Sequence, residues 1–412
     1  MKILWFCNTP SLYKNIQHGY NGGGWMSSLE RAMSSVPDLE LGICFLLAGS
    51  EEFKVKEGST TYYPVSLYNS KYKRIKRAFF SATSDETETG RYLEVINDFE
   101  PDIIHIFGSE QAFGLVQGRT QIPVVIHIQG ILIPYLNAMF APGTNALDYF
   151  RHLGLRSGIT RLKDLSVFAH NARREEKILR LCRYFMGRTE WDNTVARYYA
   201  PHSQYFYCSE MLRSIFYEAA PWSKPSNSIL QLATTISGTD YKGFDLILKT
   251  ARLLQGIEGL RFEWKVFGIM DFPFWERKLK TRPDEVGLQL MGVASPEALV
   301  AHLQKSDMFI HPSYIDNSPN SVCEAQYLGV PVISTNVGGI SSLITDGESG
   351  LLVPANDPFA LVGKIMKIAG DHDLAIRIGE RARTVAIARH DPDRIVAQNL
   401  AAYNSIFEAN RK

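Results

Sequence analysis

The sequence predicts an α/β protein built from two Rossmann-like domains facing across a cleft, and three observations carry that expectation. Short apolar runs rich in Val, Ile, Phe and Tyr alternate with amphipathic stretches along the chain, the pattern of βαβ units and parallel sheets. The alternation stops across a stretch containing Pro, Trp and Ser at 219–227 and then restarts. The length of 412 residues, at roughly 100 to 200 per domain, suits two or three domains.

In the first half, strands are expected at 2–7, 39–47, 102–107, 124–128, 184–187 and 204–208. The first reads Lys-Ile-Leu-Trp-Phe-Cys and the fourth Val-Val-Ile-His-Ile, short runs dominated by β-branched and aromatic side chains. Helices fill the gaps, including a long one at 166–180. In the second half, strands are expected at 228–233, 262–267, 288–291, 308–311, 332–334 and 351–353. After Asp357 the pattern is helical to the end, longer than the second sheet needs, so the last helix is expected to return to the first domain. The expected organisation is 1–208 as the N-terminal Rossmann-like domain, 209–227 as linker, 228–388 as the C-terminal Rossmann-like domain and 389–412 as the returning helix.

Apolar residues are 45% and charged residues 21%, enough to fill cores and no signal of disorder. Lys plus Arg is 44 against 43 for Asp plus Glu, so no global field draws in nucleic acid, and none is expected as a partner. The five cysteines, Cys7, Cys44, Cys182, Cys208 and Cys323, are scattered in apolar segments and read as reduced packing residues of a cytoplasmic protein. No apolar run approaches the ~20 residues of a membrane span.

Three constellations carry chemistry. Gly22, Gly23 and Gly24 follow the first strand and precede a helical pattern, where backbone amides can approach a phosphate or a developing anion. Asp316-Asn317-Ser318-Pro319-Asn320-Ser321-Val322-Cys323-Glu324 joins a strand to a helix. Ser318 is expected as N-cap with Pro319 at the first helical position, which aims the amides of Asn320, Ser321 and Val322 out of the helix start. Asp316 and Glu324 then border one crevice at a strand's carboxyl end, where a carboxylate can accept two vicinal hydroxyls. Tyr241-Lys242-Gly243-Phe244-Asp245 opens a helix after the first strand of the second half, and Lys242 there is placed to neutralise a diphosphate.

Together with Leu328-Gly329-Val330-Pro331, Val337-Gly338-Gly339 and Asp346-Gly347-Glu348-Ser349-Gly350, these residues resemble the family-4 retaining glycosyltransferases of the two-Rossmann-domain (GT-B) fold. The resemblance is dense over 228–360 and only one of layout in the first half. It implies that Glu324 binds the ribose of a nucleoside diphosphate sugar and that Asp316 replaces the first Glu of the Glu-x7-Glu motif and contacts the transferred sugar. It further implies that Lys242 holds the diphosphate, that His127 reaches the donor sugar, and that the 22–24 loop lies under the phosphates. Gly338 and Gly339 are similar to a glycine pair that begins a later helix and supports the site.

The chain departs from the family in two ways. Asp316 is one methylene shorter than the usual Glu, and no Arg precedes Lys242 in Ala233-Thr234-Thr235-Ile236-Ser237. Arg188 is a secondary candidate for the missing cation, with a salt bridge to Asp192 as the competing expectation. His105 is a secondary candidate whose competing reading is a core histidine, and His311 reads as packing. No His-Glu-x-x-His or Cys/His cluster is present, so neither a metal nor a cofactor is expected, the nucleoside diphosphate sugar being a co-substrate.

Basic segments at 71–80 and 151–163 raise a peripheral contact with the inner face of a membrane as a minority expectation. The expected partners are a nucleotide-sugar donor and a saccharide or lipid-linked acceptor, in cell-surface polysaccharide assembly. A nucleotide-sugar epimerase of the same architecture, or a non-catalytic binding subunit of a polysaccharide assembly complex, are the alternatives.

Overall fold

A computed structural model describes residues 1–15, 24–47, 53–66, 82–226 and 228–411. The chain divides into two compact units: Met1–Ile133 with Val167–Met211 and His390–Lys412, and Pro134–Ser166 with Leu212–Arg389. The returning C-terminal segment therefore belongs to the first unit. Residues 134–166, expected in the first domain, belong to the second.

Among the described residues, the first unit holds an eight-stranded sheet. Its strands are β1 (Lys2–Cys7), β2 (Glu40–Leu46), β3 (Val55–Glu57), β4 (Thr60–Val65), β5 (Ile103–Phe107), β6 (Val124–His127), β7 (Tyr184–Gly187) and β8 (Gln204–Tyr207). Their order is β3-β4-β2-β1-β5-β6-β7-β8, parallel except for the β3–β4 pair. Strand alternation splits β1 between two cores. Ile3, Trp5 and Cys7 pack on one face with Met26, Leu29, Tyr403 and Ile406, while Leu4 and Phe6 face Tyr92, Phe113 and Ile178 on the other. A sheet covered on both faces needs such continuous apolar runs. The helix Pro392–Asn410 is fastened by Trp5, whose Nε1–H donates to the Tyr403 hydroxyl at 3.1 Å.

The second unit holds β9 (Leu230–Thr235), β10 (Phe262–Phe267), β11 (Leu288–Gly292), β12 (Met308–His311), β13 (Val332–Thr335) and β14 (Leu351–Val353) in the parallel order β11-β10-β9-β12-β13-β14. From β9 the chain winds to β10 and β11 on one side and reaches β12 to β14 on the other, so the topological switch point lies between β9 and β12. Open α/β sheets bind ligands at the carboxyl ends of the strands beside such a point.

Residues 134–166 join this unit through specific contacts. The Tyr149 ring stacks on Phe274 at 4.0 Å between centroids, and its hydroxyl donates to Asp240. Arg161 also donates to Asp240, at 2.6 Å, and Lys278 to Asp148 at 2.8 Å. All five cysteines are buried free thiols, and burial pushes Cys7 and Cys182 up to about 12. No helix among the described residues is long and apolar enough to cross a membrane.

Candidate functional site

The loops after β9 and β12 meet at the switch point. Gly243 has φ +76°, and a Cβ there would stand 2.1 Å from the Pro312 carbonyl oxygen. Only glycine allows the two loops to approach so closely. The Tyr314 amide donates to the Tyr241 carbonyl at 2.7 Å and locks the approach. Lys242 thereby reaches Asp316, Nζ to Oδ2 at 2.6 Å.

Asp316 is 6% exposed and is the hub of the site. Its Oδ2 also faces His311 Nε2 at 3.0 Å and accepts from the Ser313 hydroxyl at 3.3 Å, while Oδ1 accepts from the Asn317 amide at 3.2 Å and the Tyr135 hydroxyl at 3.5 Å. A carboxylate can only accept, which assigns the His311 proton to Nε2, while Nδ1 faces the Ser334 hydroxyl at 2.9 Å. Burial would raise the Asp316 carboxyl, but Lys242 and His311 outweigh it and hold it well below the usual carboxylate range. Burial works to lower the Lys242 ammonium, and Asp316 outweighs that too and raises it. His311 is held below its usual value, chiefly by burial. The cluster is an ion pair with a neutral imidazole behind it.

Gly338 sits directly against this hub. With φ +52°, it would carry a Cβ 2.0 Å from the Asp316 carbonyl oxygen, and the Gly339 amide donates to that same oxygen at 3.0 Å. The glycine pair precedes a 3-10 turn, Ile340–Ser342, rather than the helix expected there.

The helix after Asp316 is Asn320–Leu328, and its cap differs from expectation. Pro319, not Ser318, is the N-cap, and no side chain caps it. The reason is that Pro319 keeps an extended ψ of 124°, so the helical turn begins one residue later. The Val322 amide, expected to point outward, donates to the Pro319 carbonyl at 3.0 Å. Asn320 and Ser321 remain the amides of the helix start, where the peptide dipoles favour an anion.

Glu324 lies in the second turn and is 4% exposed. Both of its oxygens are held by Arg213, Nε to Oε1 and Nη2 to Oε2, each at 2.7 Å. Burial raises the Glu324 carboxyl, and Arg213 opposes the rise. Sequence reasoning missed Arg213 and Tyr135. Arg213 lies in the expected linker, and its one signal was a lone cation among Met211, Leu212, Ile215 and Phe216.

In the first unit, Gly24 opens the helix Gly24–Met33, while Gly22 and Gly23 lie outside the described residues, as does the basic stretch 71–80. His105 and His127 are both fully buried. His105 is a core residue. Its Nδ1 meets the Tyr403 hydroxyl at 2.5 Å, and its ring stacks on Phe107 at 4.0 Å. His127, at the end of β6, donates from Nε2 to the Cys208 carbonyl at 3.2 Å. Burial, followed by the charge of Arg188, lowers it to about 3, so it is a neutral imidazole with a lone pair on Nδ1.

Arg188 does not pair with Asp192. Its guanidinium donates to Glu210 and to the Gln129 carbonyl, whereas Asp192 accepts the Arg188 and Thr189 amides as the third residue of a capping box. A further carboxylate, Glu175, is fully buried, accepting from the Ser109 hydroxyl at 2.6 Å and the Ile133 amide at 3.0 Å. Burial raises it to about 7. Among the described residues no three His, Cys, Asp or Glu side chains are grouped to hold a metal ion.

Comparison with known proteins falls on the same stretch as this geometry. Residues 234–385 match the family described as "Glycosyl transferases group 1". The second unit carries a group 1 glycosyltransferase domain. The putative colanic acid biosynthesis glycosyltransferase WcaL of Salmonella typhimurium is 30% identical over 165 residues, 37% of this chain and 40% of that protein. The match thus spans about two fifths of the relative's length.

Two solved structures extend the likeness beyond the group 1 domain to the whole chain. Sucrose-phosphate synthase from Thermosynechococcus elongatus superposes with a TM-score of 0.75 at 16% identity over 99% of both chains. Anabaena HepE in complex with UDP gives 0.63 at 14% identity, over 98% of this chain and 100% of that one. At these identities the likeness shows the fold, mixed α/β with two mostly parallel sheets, of the GT-B type.

Proposed function

We propose that the protein is a retaining glycosyltransferase that moves a sugar from a nucleoside diphosphate donor to a hydroxyl acceptor in cell-surface polysaccharide or glycolipid biosynthesis. One observation carries the reading. Inside the group 1 domain, a half-buried cation, an outward-facing helix start and a buried carboxylate gather at the switch point of the second sheet. The likeness to WcaL, a putative colanic acid biosynthesis enzyme, and to HepE, solved with UDP, supports the substrate classes.

In the proposed reaction the bond from the anomeric carbon to the diphosphate oxygen breaks. The acceptor oxygen bonds to that carbon on the same face, and its proton passes to the departing phosphate. Charge grows on the diphosphate, so fixed donors help most there. Lys242 and the amides of Asn320 and Ser321 supply them without a metal ion. Asp316, with both oxygens engaged, acts by holding Lys242, and neutral His127 offers Nδ1 to a sugar hydroxyl. Lys242→Ala should lower turnover by about 10² to 10³ with donor and acceptor saturating, while the fold is kept. An unchanged rate would remove Lys242 from the reaction.

The acceptor is a saccharide or a lipid-linked saccharide, and the second basic segment suits contact with an anionic bilayer. There Leu155, Ile159 and Leu162 are 71%, 56% and 47% exposed along one helix beside Arg156. Co-sedimentation with vesicles containing phosphatidylglycerol, abolished by Ile159→Glu, is the expected result. Equal recovery with neutral vesicles counts against it.

A further inference from the structure

Among the described residues, Arg213 holds both oxygens of Glu324, and it comes from outside the stretch that matches the family, 234–385. Arg213 immediately precedes the short helix Ser214–Glu218 and lies over the Phe216 ring at 5.0 Å, its side chain 18% exposed. The approach is side-on, one N–H to each carboxylate oxygen at 2.7 Å. Each oxygen of an ionised carboxylate has two acceptor sites. Arg213 occupies the two that face the same way, one on each oxygen, which fixes the carboxylate plane and leaves one free site at each outer edge.

We propose that Arg213 is a positioning residue that presents one edge of Glu324, ionised and in a fixed plane, to the 2′-hydroxyl of a nucleotide's ribose. The inference rests on the reading of Glu324 as the ribose acceptor. Arg213 supplies two things that a buried glutamate lacks. Its charge opposes the effect of burial, which favours the protonated acid, and a protonated carboxyl gives up an acceptor site that the two Arg213 N–H groups and a hydroxyl need together. Its planar fork, which lysine does not have, sets orientation as well as charge.

The other charged groups nearby are engaged elsewhere or act on Arg213. Glu297, on the helix Pro296–Lys305, is fully exposed and feels the Arg213 charge. Arg383 and Arg389, on the packed helix His372–Arg389, donate to the Tyr327 carbonyl and to Gln326. Arg213 is thus the cation that tunes Glu324.

The test compares affinity for a nucleoside diphosphate with affinity for its 2′-deoxy analogue, by calorimetry on the full chain. The uridine, guanosine and adenosine pairs are all measured. For the base that binds, wild type should prefer the ribonucleotide by about tenfold or more, the worth of a hydrogen bond to a charged group. Arg213→Lys, which keeps the charge but not the fork, should bring the preference close to unity while changing affinity for the deoxy analogue less. Arg213→Met should do the same and should also make ribonucleotide binding fall with decreasing pH. Glu324→Gln should abolish the preference, and combined with Arg213→Met it should also abolish the pH dependence.

A variant with Arg213 replaced that keeps the wild-type preference overturns the inference. A uniform loss of affinity for both analogues, with the preference intact, also overturns it by reducing Arg213 to packing. Wild type that binds no nucleoside diphosphate is a different failure, because it removes the nucleotide reading on which the inference stands.

Discussion

Replacing Asp316 by Asn isolates the charge at the hub of the site. The substitution keeps volume and one carbonyl acceptor but removes the negative charge that Lys242 meets at 2.6 Å. It also puts an amide N–H₂ where Oδ1 or Oδ2 now accepts, so either His311 or the Asn317 amide loses its partner. Breaking a buried ion pair by removing one partner costs about 3 to 5 kcal/mol. The Lys242 side chain is 21% exposed and can recover some hydration, which puts the expectation at the low end, about 3 kcal/mol. For a unit of this size that is a fall in Tm of roughly 6 to 12 °C.

The pH dependence gives the sign. A carboxyl depressed in the folded state stabilises fully above its unfolded value of about 3.9, and that stability is lost as pH falls through the folded value. Wild type should therefore lose stability in acid more steeply than Asp316→Asn, and the two curves should converge at low pH. Melting followed by intrinsic fluorescence from neutral to acid pH reads both effects. A variant that melts within about 2 °C of wild type at neutral pH, with parallel acid curves, would refute the ion-pair account.

Two further outcomes follow from the same geometry. Glu175 is raised to about 7, so the folded state binds its proton more tightly than the unfolded chain, and stability falls as pH rises from about 4.5 to about 7. Glu175→Gln should remove that decline and stabilise the protein above neutrality by about 3 kcal/mol, read as a higher Tm in alkaline buffer; an equal Tm would put the carboxyl's proton affinity near its ordinary value. Gly338→Ala would place its Cβ 2.0 Å from the Asp316 carbonyl oxygen at a positive φ. It should lower Tm by several degrees and weaken nucleotide diphosphate binding, and an unaffected binding isotherm would show that the glycine does not set the hub.

Most of the sheet architecture was legible because parallel strands buried on both faces leave continuous apolar runs, such as Met308–His311 and Leu351–Val353. The strand Thr60–Val65 was not, since Thr60, Thr61 and Pro64 break the apolar signal and its burial comes from pairing with β2. Sequence neighbourhood assigned 134–166 to the first domain, whereas the Tyr149 stack on Phe274 and the Arg161–Asp240 pair draw it to the second.

The same limit governs the site. Lys242, Asp316 and Glu324 stood in local motifs at the ends of readable strands and helices. Arg213, separated from Glu324 by 111 positions, and Tyr135, separated from Asp316 by 181, carry no local pattern that names their partners. Arg188 shows the converse error, for proximity favoured Asp192 while folding supplied Glu210.

The measurement that bears most directly on nucleotide-sugar recognition is thermal stabilisation of the purified protein by uridine, guanosine and adenosine diphosphate sugars, without added metal. At 100 times its dissociation constant, a donor that binds the folded state adds about 2.7 kcal/mol, a readable rise in Tm. The account predicts a rise with the donors of one base, lost in Glu324→Ala. No rise with any donor, or an equal rise in Glu324→Ala, would contradict it.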